Sequence, residues 1–77
     1  GFNVYPNPAT DALNVKFDAS AVTTVELTDL TGKVVETQTA QAGANTVNFA
    51  TANVNAGVYF VNVKNVNGST TQKVVIK

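Results

Sequence analysis

Short runs in which apolar and polar residues alternate recur about every eight to twelve positions along the whole chain, several of them closed by Gly, Asn, Asp or Pro. A period of two sends successive side chains to opposite faces of a strand. The pattern therefore specifies antiparallel sheets with one dry face and one wet face, and strands this short and this regularly spaced specify an all-β sandwich or barrel. A helical reading fails on two counts. No long window carries an apolar stripe at the helical period, and the straight-chain helix formers are scarce: Leu stands only at 13, 27 and 30, and Glu only at 26 and 36. Val and Thr, which fit a pleated surface, take their place.

Seven strands are expected, over residues 2–5, 12–17, 22–29, 33–39, 45–50, 57–64 and 70–77. Leu13, Val15 and Phe17 share one face of the second, and Val25 and Leu27 point inward from the third, with Glu26 and Thr28 outward. Val47 and Phe49 point inward from the fifth, Tyr59, Val61 and Val63 from the sixth, and Val74 and Ile76 from the last, whose outer face carries Lys73, Val75 and Lys77. Asp29-Leu30-Thr31-Gly32 has Asp first and Gly fourth, the grammar of a type I turn followed by a Gly bulge. Asn65-Val66-Asn67-Gly68 repeats it, and a two-residue loop centred on Asn67-Gly68 is the other reading; the match to the Asp29 turn favours the three-residue loop. The small-residue stretch 39–45 is a loop, and 51–56 crosses between sheets with Val54 as a plug.

Composition removes several function classes. The chain of 77 residues is a single domain, 1–77, with a modest core that buries roughly 60% of its unfolded surface. It has no Cys, His, Met or Trp, so disulfides, the commonest metal ligand and the commonest general base are absent. Five Lys, no Arg and five acidic residues give zero net charge, which argues against nucleic acid as a partner. No apolar run reaches the roughly 20 residues of a membrane-spanning helix. The first residues do not read as a signal peptide, so the chain is expected to be a mature fragment or one domain of something larger.

No catalytic set emerges. Ser20 and Ser69 have no activating His, Asp11, Asp18 and Asp29 occupy turn positions, and Glu26 and Glu36 are expected on outward faces. Asn7, Thr10 and Asp11 could offer oxygens to a calcium ion, but one carboxylate is too little charge, and Asp11 reads instead as an acceptor for loop N–H groups. No cofactor site is expected. Three local features remain. Tyr5-Pro6-Asn7-Pro8 is rigid and donor-poor, which suits a sheet edge or a connection. Gly57 closes the crossover, where any Cβ is expected to meet the chain turning into the sixth strand. Val58 and Phe60 make both faces of that strand apolar; with Val75 next door they form a candidate apolar contact patch, which would also favour weak self-association.

Four segments in this order, YPNPATDALNVKF, VELTDLTGKVV, NVNAGVYFVNV and STTQKVVIK, resemble the type A C-terminal sorting domain of the type IX (Por) secretion system over residues 4–77. Pro6, Asn7, Pro8 and Asp11 match the opening motif, Asp29 and Gly32 the central hairpin, Gly57 and Tyr59 the Gly-x-Tyr motif, and Lys73 and Lys77 the basic positions of the terminal strand. Asn55 stands where many members have Pro, and Gln72 where Met or Lys is frequent.

The resemblance implies an Ig-like, seven-stranded antiparallel sandwich that acts as a non-catalytic export signal. It implies an N-terminal cargo domain of the same precursor, passage through the periplasm and the outer-membrane translocon, and arrival at the cell surface or outside the cell. It further implies removal by a sortase-like surface peptidase. The rival class is an Ig-like structural spacer, or a carbohydrate-binding or adhesion module of a secreted surface protein. Sugar binding usually needs an aromatic platform, and only Phe60 is expected outward on a central strand.

Overall fold

The computed structural model describes residues 2–18 and 20–77. They form seven strands: β1 (Phe2–Tyr5), β2 (Ala12–Phe17), β3 (Thr23–Thr28), β4 (Val34–Ala40), β5 (Thr46–Ala50), β6 (Gly57–Asn65) and β7 (Gly68–Ile76). These build two antiparallel sheets, one of order β1-β2-β5 and one of order β4-β3-β6-β7. The expected all-β sandwich is the observed fold. Its connectivity is Ig-like with one change: the fourth strand lies beside the third rather than on the first sheet.

The core forms where the alternating residues meet. Leu13 and Val15 from the first sheet and Val25, Leu27, Val61 and Val74 from the second are fully buried, with Phe49 and Ile76 beside them. Burial of each such side chain stabilises the fold by about 1.5–3 kcal/mol. Phe2 and Val54 pack against this cluster from its margins, so Val54 does plug the crossover. Thr51, buried at the start of that crossover, donates its N–H to the Asp11 carbonyl at 2.9 Å and its hydroxyl to the Thr10 carbonyl at 2.8 Å.

Two expectations about register fail. The strands of the last hairpin pair Asn65 with Gly68 and Tyr59 with Val74, so the loop is Val66-Asn67 and β7 starts at Gly68. Neither the three-residue loop nor the loop centred on Asn67-Gly68 is adopted. Cross-strand partners share a face. A three-residue loop without a compensating bulge would set inward Tyr59 opposite outward Val75, and such a slip exchanges the two faces of the strand. The observed loop keeps faces matched. The Asn65 side chain holds it by accepting the Asn67 N–H at 2.8 Å.

At the other hairpin the Gly bulge is present, and a second irregularity follows it: Thr28 pairs with Val34 and Leu27 with Glu36, so the register shifts by one residue at Val35. That shift places Glu36 opposite inward-facing Leu27, so Glu36 faces the interior and not the solvent as expected. It is half-buried, and its Oε2 is covered without a hydrogen-bond partner. Two residues on, Gln38 donates from Nε2 to the Asn48 carbonyl at 3.0 Å, which ties the edge of the second sheet to that of the first. Glu26 does face outward and pairs with Lys64 at 2.8 Å.

Candidate functional site

Strand direction sorts the loops into two poles. At one, Phe2 pairs with Phe17 and the Asn65–Gly68 turn closes the last hairpin. At the other lie the connection from β1 to β2, the Asp29 turn, the crossover into β6 and the end of β7. The pairs Tyr5–Asn14, Ala12–Ala50, Thr28–Val34 and Gly57–Ile76 mark that end in four different strand pairings. Pro6, Asn7, Pro8, Asp11, Asp29, Gly32, Gly57, Tyr59 and Lys77, scattered over most of the sequence, thus gather at one pole, with Lys73 three pairs along the last hairpin from its Gly57–Ile76 end.

The opening segment touches the terminal strand directly. Ala9 forms a parallel bridge with Ile76. Its N–H donates to the Val75 carbonyl and its carbonyl accepts the Lys77 N–H, both at 2.8 Å. The Asn7 Oδ1 accepts the Val75 N–H at 3.0 Å. Pro6 and Pro8, each after a cis peptide bond, are exposed on either side of Asn7. Sequence reading placed this segment on an edge or in a connection; it is both, and the strand it covers is the last one. Asp11 meets its expectation only in part. Its backbone carbonyl accepts the N–H of Thr51, from the crossover, whereas N–H groups of its own loop were expected.

The Asp29 turn is built around one carboxylate oxygen. Oδ1 accepts the Thr31 hydroxyl at 2.6 Å, the Thr31 N–H at 2.9 Å and the Lys33 N–H at 3.0 Å. Gly32 closes the turn, donating to the Asp29 carbonyl at 3.0 Å with φ at +87°. The Thr31 hydroxyl, with lesser help from the two N–H groups and the Lys33 charge, holds the Asp29 carboxyl below the usual aspartate range against a modest opposing effect of desolvation.

Across from this turn, Tyr59 is buried and its hydroxyl donates to the Asn55 carbonyl at 2.6 Å. Asp29, Val35, Asn55 and Tyr59 thereby border one open cleft of about 320 Å³. Gly57 has φ at +155°, and a Cβ there would meet only a Tyr59 ring carbon at 3.9 Å. The crowding expected at this glycine is absent; its conformation is what calls for glycine.

Val58, Phe60 and Val75, the three residues of the candidate patch, share one face. Val58 pairs with Val75 and Phe60 with Lys73, on the outer face of the four-stranded sheet, with Phe60 also opposite Thr28. Val58, Phe60 and Val75 are half-buried. Further from the pole the same face is polar and self-satisfied: Asn62 donates to the Thr28 hydroxyl at 3.1 Å and accepts from the Thr71 hydroxyl at 2.7 Å. Among the described residues, no three acidic side chains lie close enough to hold a metal ion. Among the described residues, no helix is long and apolar enough to cross a membrane.

No curated protein matches the chain. A family model described as "Secretion system C-terminal sorting domain" matches residues 3–77. With that span essentially the whole chain, and with the sandwich expected from its motifs in place, the protein belongs to the family of type IX secretion C-terminal sorting domains.

Proposed function

We propose that this domain directs an N-terminal cargo through the type IX system across the outer membrane, and that the machinery reads it at the pole where the motif residues gather. The observation that carries the reading is that convergence. Asn7, Asp29, Tyr59 and Lys77 come from distant parts of the sequence and meet at the pole opposite Phe2. A cargo joined ahead of Phe2 would leave from the far pole and leave this one clear. In this reading the precursor passes through the periplasm, the translocon recognises the terminal hairpin with Lys73, Lys77 and the patch of Val58, Phe60 and Val75, and a sortase-like peptidase then removes the domain. The role is non-catalytic.

The test is a reporter with a signal peptide fused ahead of residues 1–77, in a bacterium that has a type IX system. Export of the reporter is expected. Replacing both Lys73 and Lys77 by Gln should trap it in the periplasm while shifting stability by at most about 0.5 kcal/mol per site, since both lysines are exposed. A double variant that folds and is exported at the normal rate would refute recognition through the lysines.

A further inference from the structure

The outer edge of β7 is treated unequally along its length. Val75 directs its N–H and C=O away from β6, as their bonds to Asn7 and Ala9 show. By the two-residue period of a strand, Ser69, Thr71 and Lys73 expose the same edge. Among the described residues nothing pairs with the backbone there, whereas the groups of Val75 and the N–H of Lys77 are all taken by the opening segment.

That segment is suited to the task by its chemistry. Pro6 and Pro8 have no N–H to donate, and among the described residues the groups of this segment that bond to the terminal strand are the Asn7 side chain and the backbone of Ala9. The amide oxygen of Asn7 supplies the acceptor for the Val75 N–H. Ala9 is fully buried, so a larger residue would displace the segment from the strand. The two bonds from Thr51 to Thr10 and Asp11 hold its far side against the crossover. Lys77 lies beyond the last residue of β7 and is held by its bond to Ala9.

We infer that segment 6–9 is a clasp on the terminal strand, with Asn7 as a positioning residue for the part of the signal formed by Val75 and Lys77. The inference rests on the reading of that strand as a recognised element and adds a partner to it. The recognised unit is composite, built from both ends of the sequence. A consequence follows for any docking partner: beside Val75 and Lys77 it meets side chains and the proline-flanked clasp, never a bare strand edge.

The test compares Asn7→Ala, Asn7→Asp and Val47→Ala in the 77-residue chain and in the reporter fusion. Amide exchange at Val75, measured against central β6 amides, should rise roughly 2–12-fold in Asn7→Ala, the factor expected for the net loss of one hydrogen bond. It should stay at the unsubstituted value in Asn7→Asp, which keeps the acceptor oxygen. Val47→Ala trims a buried side chain of β5, opposite Val15 in the three-stranded sheet, and lowers stability without touching the clasp, so it is the control for stability alone. Export should fall in Asn7→Ala, return in Asn7→Asp and persist in Val47→Ala. Unchanged Val75 exchange in Asn7→Ala would overturn the clasp. Export falling equally in Asn7→Ala and Val47→Ala of matched stability would overturn its part in the signal. An unsubstituted fusion that is not exported would instead sink the sorting reading, and the exchange result would still decide the clasp.

Discussion

Gly57 separates two causes of a glycine requirement that a sequence cannot distinguish. If space were the cause, a larger substituent would cost more than a smaller one. A Cβ at this position, however, meets only a Tyr59 ring carbon at 3.9 Å, an ordinary contact. The backbone is the constraint: φ is +155°, a region that side chains rarely enter. Holding a non-glycine residue in such a region costs about 1–3 kcal/mol. Against this, Ala restricts the unfolded chain and recovers about 0.4–1 kcal/mol. The net loss for Gly57→Ala is therefore about 1–2 kcal/mol. A domain of this size has roughly 4–12 kcal/mol to lose, and the melting temperature should fall by roughly 5–15 °C. Gly57→Val should cost somewhat more than Ala, because a β-branched side chain is more strained than Ala at positive φ.

Urea denaturation of the 77-residue chain, followed by far-ultraviolet circular dichroism and tyrosine fluorescence, reads both values. A neutral Gly57→Ala would refute the conformational account. A Val variant several kcal/mol worse than Ala would restore crowding as the cause.

The Asp29 carboxyl is held low in the folded state chiefly by the Thr31 hydroxyl, so its stabilisation is complete above the unfolded aspartate value of about 4 and is lost as pH falls through the folded value. Asp29→Asn should lower stability at neutral pH and flatten the acid limb of the stability curve; an acid limb identical to that of the unsubstituted chain would refute this. Glu36 carries a covered, unpartnered oxygen on an inward-facing position, so Glu36→Val should stabilise by about 0.5–2 kcal/mol, and a lower melting temperature would count against its inward placement.

The parts of this fold that were legible in the sequence are those that local chemistry decides. Seven strands and their inward faces follow from a two-residue period, and Leu13, Val25, Phe49 and Val74 are buried as that period requires. The Asp29 turn was legible because its Asp and Gly lie three residues apart and satisfy each other. The second turn was not, since Asn65-Val66-Asn67-Gly68 suits several loops, and only the parity of inward residues across the hairpin restricts the register. Glu36 was misplaced because one bulged residue upstream reverses the face of all that follows in β4. The clasp had no local signal at all. Asn7 and Val75 are 68 positions apart, and a side-chain acceptor on a backbone N–H leaves no pattern in either segment. The motif signal identified the residues but gave no sign that the first and last motifs touch.

The outer face of the four-stranded sheet changes character along its length, and this bears on where a partner can bind. Towards the far pole, Asn62 links Thr28 to Thr71 and Glu26 holds Lys64, so the polar groups already have partners within the domain. Towards the motif pole, Val58, Val75 and Phe60 have no polar group to satisfy, and burying them against a partner would release apolar surface from water. A partner therefore gains more from the motif end than from the rest of the face. Phe60→Ser tests this. Phe60 is half-buried on the outer face, so its loss should cost the fold about 1–2 kcal/mol, less than a core phenylalanine. The domain should stay folded, with native amide dispersion by NMR, while export of the fused reporter drops at least about tenfold, which corresponds to about 1.4 kcal/mol of lost contact. A folded Phe60→Ser domain that exports its reporter at the unsubstituted rate would show that the apolar end of this face is not where the domain is read.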